Sequence, residues 1–167
     1  MYRYSITTVA DSPKRALLIR TRDIFTAVLG LRDIKLNFIR EDPNGPVRYS
    51  FPVMGYVHLN SKEIFIRADI YDLREQVRTV LHELRHCYQR QSGRHYSNNA
   101  ARERDARLFE YEYLPPSDPK AMERWLDEVE SRLIRTAQRV HYKTVRAQQQ
   151  SFWESRNLYE IERSKIQ

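Results

Sequence analysis

A helix that is apolar on one side and carries two histidines on the other constrains this chain more than any other feature. Leu73, Val77, Val80, Leu81, Leu84 and Tyr88 recur so that, at about 100° per residue and with Leu73 as zero, they cluster around 30°. His82 and His86 of the segment His82-Glu83-Leu84-Arg85-His86 fall at about 180° and 220° on the same scale. One side of the helix therefore packs on a core, and the histidine side faces away from it. Residues four apart share a face, so the pair can offer two imidazole nitrogens to one metal ion. Glu83 lies one step round, where a general base for a metal-bound water belongs. Cys87, the chain's single cysteine, sits beside the apolar stripe and reads as a small buried hydrophobe. It excludes an internal disulfide and any multi-cysteine zinc site.

The flanking sequence predicts an α+β fold, a small and mostly antiparallel sheet packed on helices. Residues 2–9 alternate as a strand, and Asp11-Ser12-Pro13 reads as an N-cap followed by proline at the first helical position. Leu17, Ile24, Phe25 and Val28 give that helix its stripe until Gly30 stops it. Ile34, Leu36 and Phe38 make a second strand that ends in the turn-prone run 41–46. Val53, Val57 and Leu59 form one side of a third strand and Ile64, Ile66, Ala68 and Ile70 one side of a fourth, a hairpin closed by Asn60-Ser61-Lys62. Asp72 then caps the histidine helix. A polar loop from Gln91 to Asn98 reverses the chain into a helix over 99–114, which Pro115-Pro116 ends. Ser117-Asp118-Pro119 starts a long helix striped by Met122, Leu126, Val129, Leu133, Ala137 and Val140. The organisation expected is a domain of residues 1–116 and a basic helical region of residues 117–167.

Two histidines leave a four-coordinate zinc one protein ligand short. Acids lie about twenty residues on, in Glu103-Arg104-Asp105-Ala106-Arg107-Leu108-Phe109. An H-E-x-x-H helix after a strand hairpin, followed at this distance by an acid-Ala-x-x-Phe helix, resembles the zincin metallopeptidases. It is most similar to the small ImmA/IrrE-like branch found in phages and mobile elements. The resemblance covers residues 53–114 or so and implies a zincin-like fold, a bound Zn2+ and hydrolysis of a peptide bond, with Glu83 as general base. It implies Asp105 as third ligand, with Glu103 as the alternative, because the family's ligand is an acid directly before alanine. That ligand is usually glutamate and the inner motif residues are usually uncharged, so Asp105 and Arg85 both depart from the pattern. Arg85 flanks the histidine face, able to bind a substrate carboxylate or pair with an acid. His95, Tyr111 and Tyr113 are candidate oxyanion donors, and a peptide or protein substrate would lie along the sheet edge near Ile64–Ala68.

The net charge of +7 is concentrated late in the chain. From residue 132 onward eight Lys or Arg stand against three Glu, a surplus that reads first as a solvated helix face and otherwise as a contact for nucleic acid or an acidic protein. No stretch is a signal peptide or a membrane span, so a cytoplasmic place, in its own or a host cell, is expected. No glycine-rich phosphate loop is present. The alternative to a peptidase is a catalytically inactive, metal-stabilised scaffold of a phage or mobile element that binds nucleic acid or protein.

Overall fold

The computed structural model describes residues 1–9, 12–50, 52–58, 62–70, 72–93 and 95–164, with side chains excepted at 142, 145, 148, 149 and 151–164. The expectations for Asp11, Leu59, Asn60 and Ser61 lie outside the described residues. The fold is α+β. The first unit, Met1–Glu128, runs β1 (Tyr2–Thr7), α1 (Pro13–Val28), β2 (Lys35–Glu41), β3 (Val47–Tyr49), β4 (Gly55–Val57), β5 (Glu63–Arg67), α2 (Leu73–Gln91), α3 (Asn99–Glu112) and the first turns of α4 (Pro119–Ser164). The rest of α4 belongs to the second unit, Val129–Gln167.

Local chemistry sets the helix boundaries. Ser12 accepts a hydrogen bond from the Arg15 N–H with Pro13 at the first turn, and Asp72 accepts from Arg74 N–H at the start of α2. Asn98 accepts from the Ala101 N–H at the start of α3, each cap satisfying an otherwise orphaned amide. Gly30, at φ +65°, provides the left-handed residue that ends α1.

The strands form one sheet in the order β3-β1-β2-β5-β4. Among the described residues only β2 and β5 pair parallel; the other pairings are antiparallel. The register puts Phe38, Ile64 and Ile66 on one face, buried on the side where α2 packs. Tyr4, Ile39, Phe65 and Tyr56 occupy the other face, where they close a second small core with Val53, Val47 and Tyr49. The buried Tyr4 hydroxyl accepts the Val53 N–H at 3.0 Å, and Tyr56 stacks on Phe65 at 4.7 Å. This corrects the grouping of Val53 with Val57: Val57 pairs with Ile64 on the helix face, whereas Val53 belongs to the opposite core. The strand β3, which directly follows the turn-prone run 41–46 and is not among the strands expected from sequence, pairs with β1, Tyr2 opposite Tyr49.

Two placements bear on function. β5 is paired on both sides, by β2 and β4, so its backbone groups are not available to a substrate at Ile64–Ala68, as the sequence had suggested. The edge strand beside α2 is β4. Gly55 makes that approach close: a Cβ there would lie 2.6 Å from Thr79 Cγ2, 2.8 Å from the Phe65 carbonyl oxygen and 3.4 Å from Glu83 Cγ. Gly55→Ala is therefore expected to cost about 2 kcal/mol by overpacking, read as a lowered urea midpoint with unchanged slope; a wild-type midpoint would contradict this packing.

The first unit extends past residue 116 because the start of α4 is part of its core. Met122 and Leu126 are buried, and Trp125 stacks on Phe25 at 5.7 Å. Phe25 also meets Tyr113 at 4.9 Å and Phe109 at 6.1 Å, edge to face. In the second unit Ile134 and Val140 are exposed. No helix among the described residues is long and apolar enough to cross a membrane.

Candidate metal centre

The helix α2 is buried on more sides than its apolar stripe alone requires. Leu73, Val77, Val80, Leu81 and Leu84 fill the core as expected, and Gln76, Glu83, Cys87 and Gln89 are buried as well. Burial pushes the Cys87 thiol up to about 12, which makes it a packing residue rather than a nucleophile. The histidine face is covered by α3, and three side chains converge there.

His82 Nε2 and His86 Nε2 lie 3.0 Å apart. Glu103 places Oε2 3.2 Å from His82 Nε2 and Oε1 3.3 Å from His86 Nε2. The histidine side chains are largely buried, 18 % and 12 % exposed, and Glu103 is the open side of the group at 40 %. One ligand atom from each of the three residues lies within 4.8 Å of the others, a group able to hold a metal ion.

The hydrogen bonds behind the rings decide which nitrogens carry protons. Gln89 Nε2 donates to the Arg102 carbonyl at 2.9 Å and to Asp105 Oδ2 at 2.8 Å. Both partners only accept, so the amide is fixed with Oε1 toward His86 Nδ1 at 2.8 Å. His86 Nδ1 must then be the N–H, and Nε2 holds the lone pair. His82 Nδ1 faces the Glu110 carboxylate in a short hydrogen bond, which in the neutral ring likewise leaves Nε2 as lone pair. Glu110 is itself held by Arg78 at 3.3 Å. With both rings neutral, two lone pairs and a carboxylate point at one another across 3.0–3.3 Å, an arrangement that repels unless a positive charge, a metal ion or the proton of a charged His82, lies between them. Tetrahedral zinc with bonds of about 2.0–2.1 Å has ligand atoms about 3.3 Å apart, so the three residues fit that ion.

Electrostatics around the pair are uneven. Burial lowers the pKa of His82, but Glu110, Glu83 and Glu103 outweigh it and the net shift is upward. Burial lowers that of His86, Gln89 opposing and the His82 charge adding to the fall. Glu83 is 7 % exposed, and burial pushes its carboxyl up to about 7 despite the opposing pull of His82. That value suits proton transfer near neutrality.

Asp105, preferred from sequence as the third ligand, lies on the other rim of α3. It takes a bidentate pair from Arg85, 2.8 Å to Nε and 3.0 Å to Nη2, and accepts from Gln89 and from the Tyr96 hydroxyl at 2.9 Å. These partners are donors and none is a histidine nitrogen, and the ligand set the structure brings together contains Glu103 instead. Arg85 is correspondingly occupied: it pairs with Asp105 and lies over the Tyr88 and Phe109 rings at 4.7 and 5.3 Å, so it does not offer its fork to a substrate carboxylate. Tyr113 packs against Phe25 and Phe109, which removes it as an oxyanion donor. Tyr111 is 64 % exposed and His95 is exposed on the α2–α3 loop. Sequence reasoning missed Glu110, Gln89 and Tyr96. Glu110 had a signal: it follows Glu103 by seven residues, about 20° away on the helix.

No family model, curated protein or solved structure matches this chain. The case for a function therefore rests on the site itself.

Proposed function

We propose that the chain is a zinc-dependent metallopeptidase of the H-E-x-x-H type, with His82, His86 and Glu103 as metal ligands and Glu83 as general base. The observation that carries this reading is the pair of outward-facing Nε2 lone pairs set against the Glu103 carboxylate at 3.0–3.3 Å. Three protein ligands are what a catalytic rather than a structural zinc site has, the remaining position being left for water or substrate. When bound, the ion would supply Lewis-acid polarisation of a carbonyl and acidify a water.

The chain's own residues supply the rest. Gln89 and Glu110 hold each imidazole in the tautomer that presents Nε2. Glu83, buried beside His82 and raised to about 7, takes a proton from the attacking water and returns it to the departing amine. Gly55 brings the β4 backbone against α2 at the level of Glu83. An extended peptide added to the free edge of β4 would thus run past the general base, its main chain hydrogen-bonded to the strand.

The test is elemental analysis of untagged protein alongside hydrolysis of a mixed peptide library by the wild type and by Glu83→Gln. The expected result is about one zinc per chain in both, with turnover in the variant reduced by roughly 10²–10⁴-fold. Iron or manganese in place of zinc would change the metal but keep the ligands. Metal in both proteins with no cleavage by either would favour the metal-stabilised scaffold.

A further inference from the structure

The second unit carries a feature that the metal centre does not use. Between Glu130 and Glu154 the chain contains no acid, and in that interval stand Arg132, Arg135, Arg139, Lys143 and Arg146. At about 100° per residue, spacings of i, i+3, i+7, i+11 and i+14 keep all five within an arc of about 80° on α4. Arg135 to Arg146 rise about 16 Å along the axis, and Arg132 lengthens the row to about 21 Å. These side chains are exposed, and Arg135, Arg139 and Lys143 border with Gln138 a shallow groove of about 330 Å³.

Such a row is not what solvation alone selects. A solvated helix face alternates its charges, because like charges three or four apart each cost a few tenths of a kcal/mol. Along Arg135–Arg146 every charged neighbour three or four residues away is a like charge; Glu128 shares the face only beyond the Arg132 end, and Glu130 lies on the opposite side of the helix. A straight, rigid line of cations is complementary to a straight, rigid line of anions. Duplex DNA, with one charge per about 1.7 Å of axis, is the densest such line. The preponderance of arginine suits bidentate contact with phosphate. A helix about 10–12 Å across also fits beside the wall of the roughly 12 Å B-form major groove, whereas the A-form groove of duplex RNA is too narrow to admit it. We infer that the Arg135–Arg146 face of α4 binds the phosphate backbone of double-stranded DNA without sequence preference. This stands independently of the metallopeptidase reading.

The experiment is fluorescence anisotropy of a labelled duplex of about 24 base pairs titrated with the full-length chain between about 50 and 200 mM salt. Two unrelated duplex sequences are expected to bind equally, with a log–log salt slope of about −3.6 from four phosphate contacts. Arg139→Gln should reduce that slope by about one. The quadruple variant Arg135→Gln, Arg139→Gln, Lys143→Gln, Arg146→Gln should lose roughly 100-fold in affinity or more at the lowest salt, with circular dichroism and metal content unchanged. Absence of wild-type binding at the lowest salt would overturn the inference. So would wild-type affinity in the quadruple variant, or tighter binding to polyglutamate or duplex RNA, which would assign the face to an acidic protein or to RNA.

Discussion

Glu103→Ala is expected to lower zinc affinity by roughly a thousandfold, whereas Asp105→Asn leaves it within about threefold of wild type. The size follows from the ligand count. Zinc sites bind with about 10–16 kcal/mol in total, so one of a small set of ligands accounts for some 4 kcal/mol, and each 1.4 kcal/mol is tenfold. The discrimination between the two acids follows from geometry. The Glu103 oxygens are 3.2 and 3.3 Å from the two Nε2 atoms, while both Asp105 oxygens are taken by Arg85. Glu110→Gln is the intermediate case: it keeps all three ligand atoms but removes the carboxylate that orients His82, and such losses run to about 10–100-fold. Competition against a chromophoric chelator ranks the three. A variant order in which Asp105→Asn loses the metal and Glu103→Ala keeps it would transfer the ligand role back to Asp105.

That the chain alone favours Asp105, whereas the structure groups Glu103 with the two histidines, has a physical cause. Helical spacing established that the two residues point about 200° apart, so that only one could join the histidines; it did not say which rim of α3 faces them. Ala106 and Phe109, both buried, seat the middle of α3 on α2 and leave an acid on either side. The decisive clue lay in Arg85. A guanidinium 16 % exposed beside the histidine face needs an anion, and Asp105 meets that need. The two departures from the zincin pattern, an arginine within the motif and an aspartate for glutamate, are bonded to each other. What was legible in the sequence was what local chemistry controls: the Ser12, Asp72 and Asn98 starts of helices, the i, i+4 histidines and the alternation of β1, β2 and β5. The parallel pairing of β2 with β5 and the three-residue β3 are set by partners distant in sequence, and no local pattern records them.

The Arg85–Asp105 pair is expected to be a main attachment of α3 to α2, and Asp105→Ala to destabilise the apoprotein by about 2–4 kcal/mol at neutral pH. The aspartate accepts hydrogen bonds from Arg85, twice, and from Gln89 and Tyr96. Removing it leaves a mostly buried guanidinium without its counter-ion, the situation in which a broken pair costs most. The pH dependence has a definite sign. The Arg85 hydrogen bonds, helped by Gln89 and Tyr96 against an opposing effect of burial, hold the Asp105 carboxyl well below the usual carboxylate range. A group whose folded pKa is depressed contributes stability above its unfolded value of about 3.9 and loses it as pH falls toward the folded one. Urea midpoints of apo wild type and Asp105→Ala should therefore differ by a constant amount from about pH 7 to 5 and converge below about pH 4. Arg85→Ala and the double variant complete the cycle. With the aspartate gone, losing the arginine should cost little or even help, because the orphaned cation leaves with it. Strictly additive single effects, or a gap between wild type and Asp105→Ala that persists into acid, would mean that the pair is not what fastens α3 to the histidine helix.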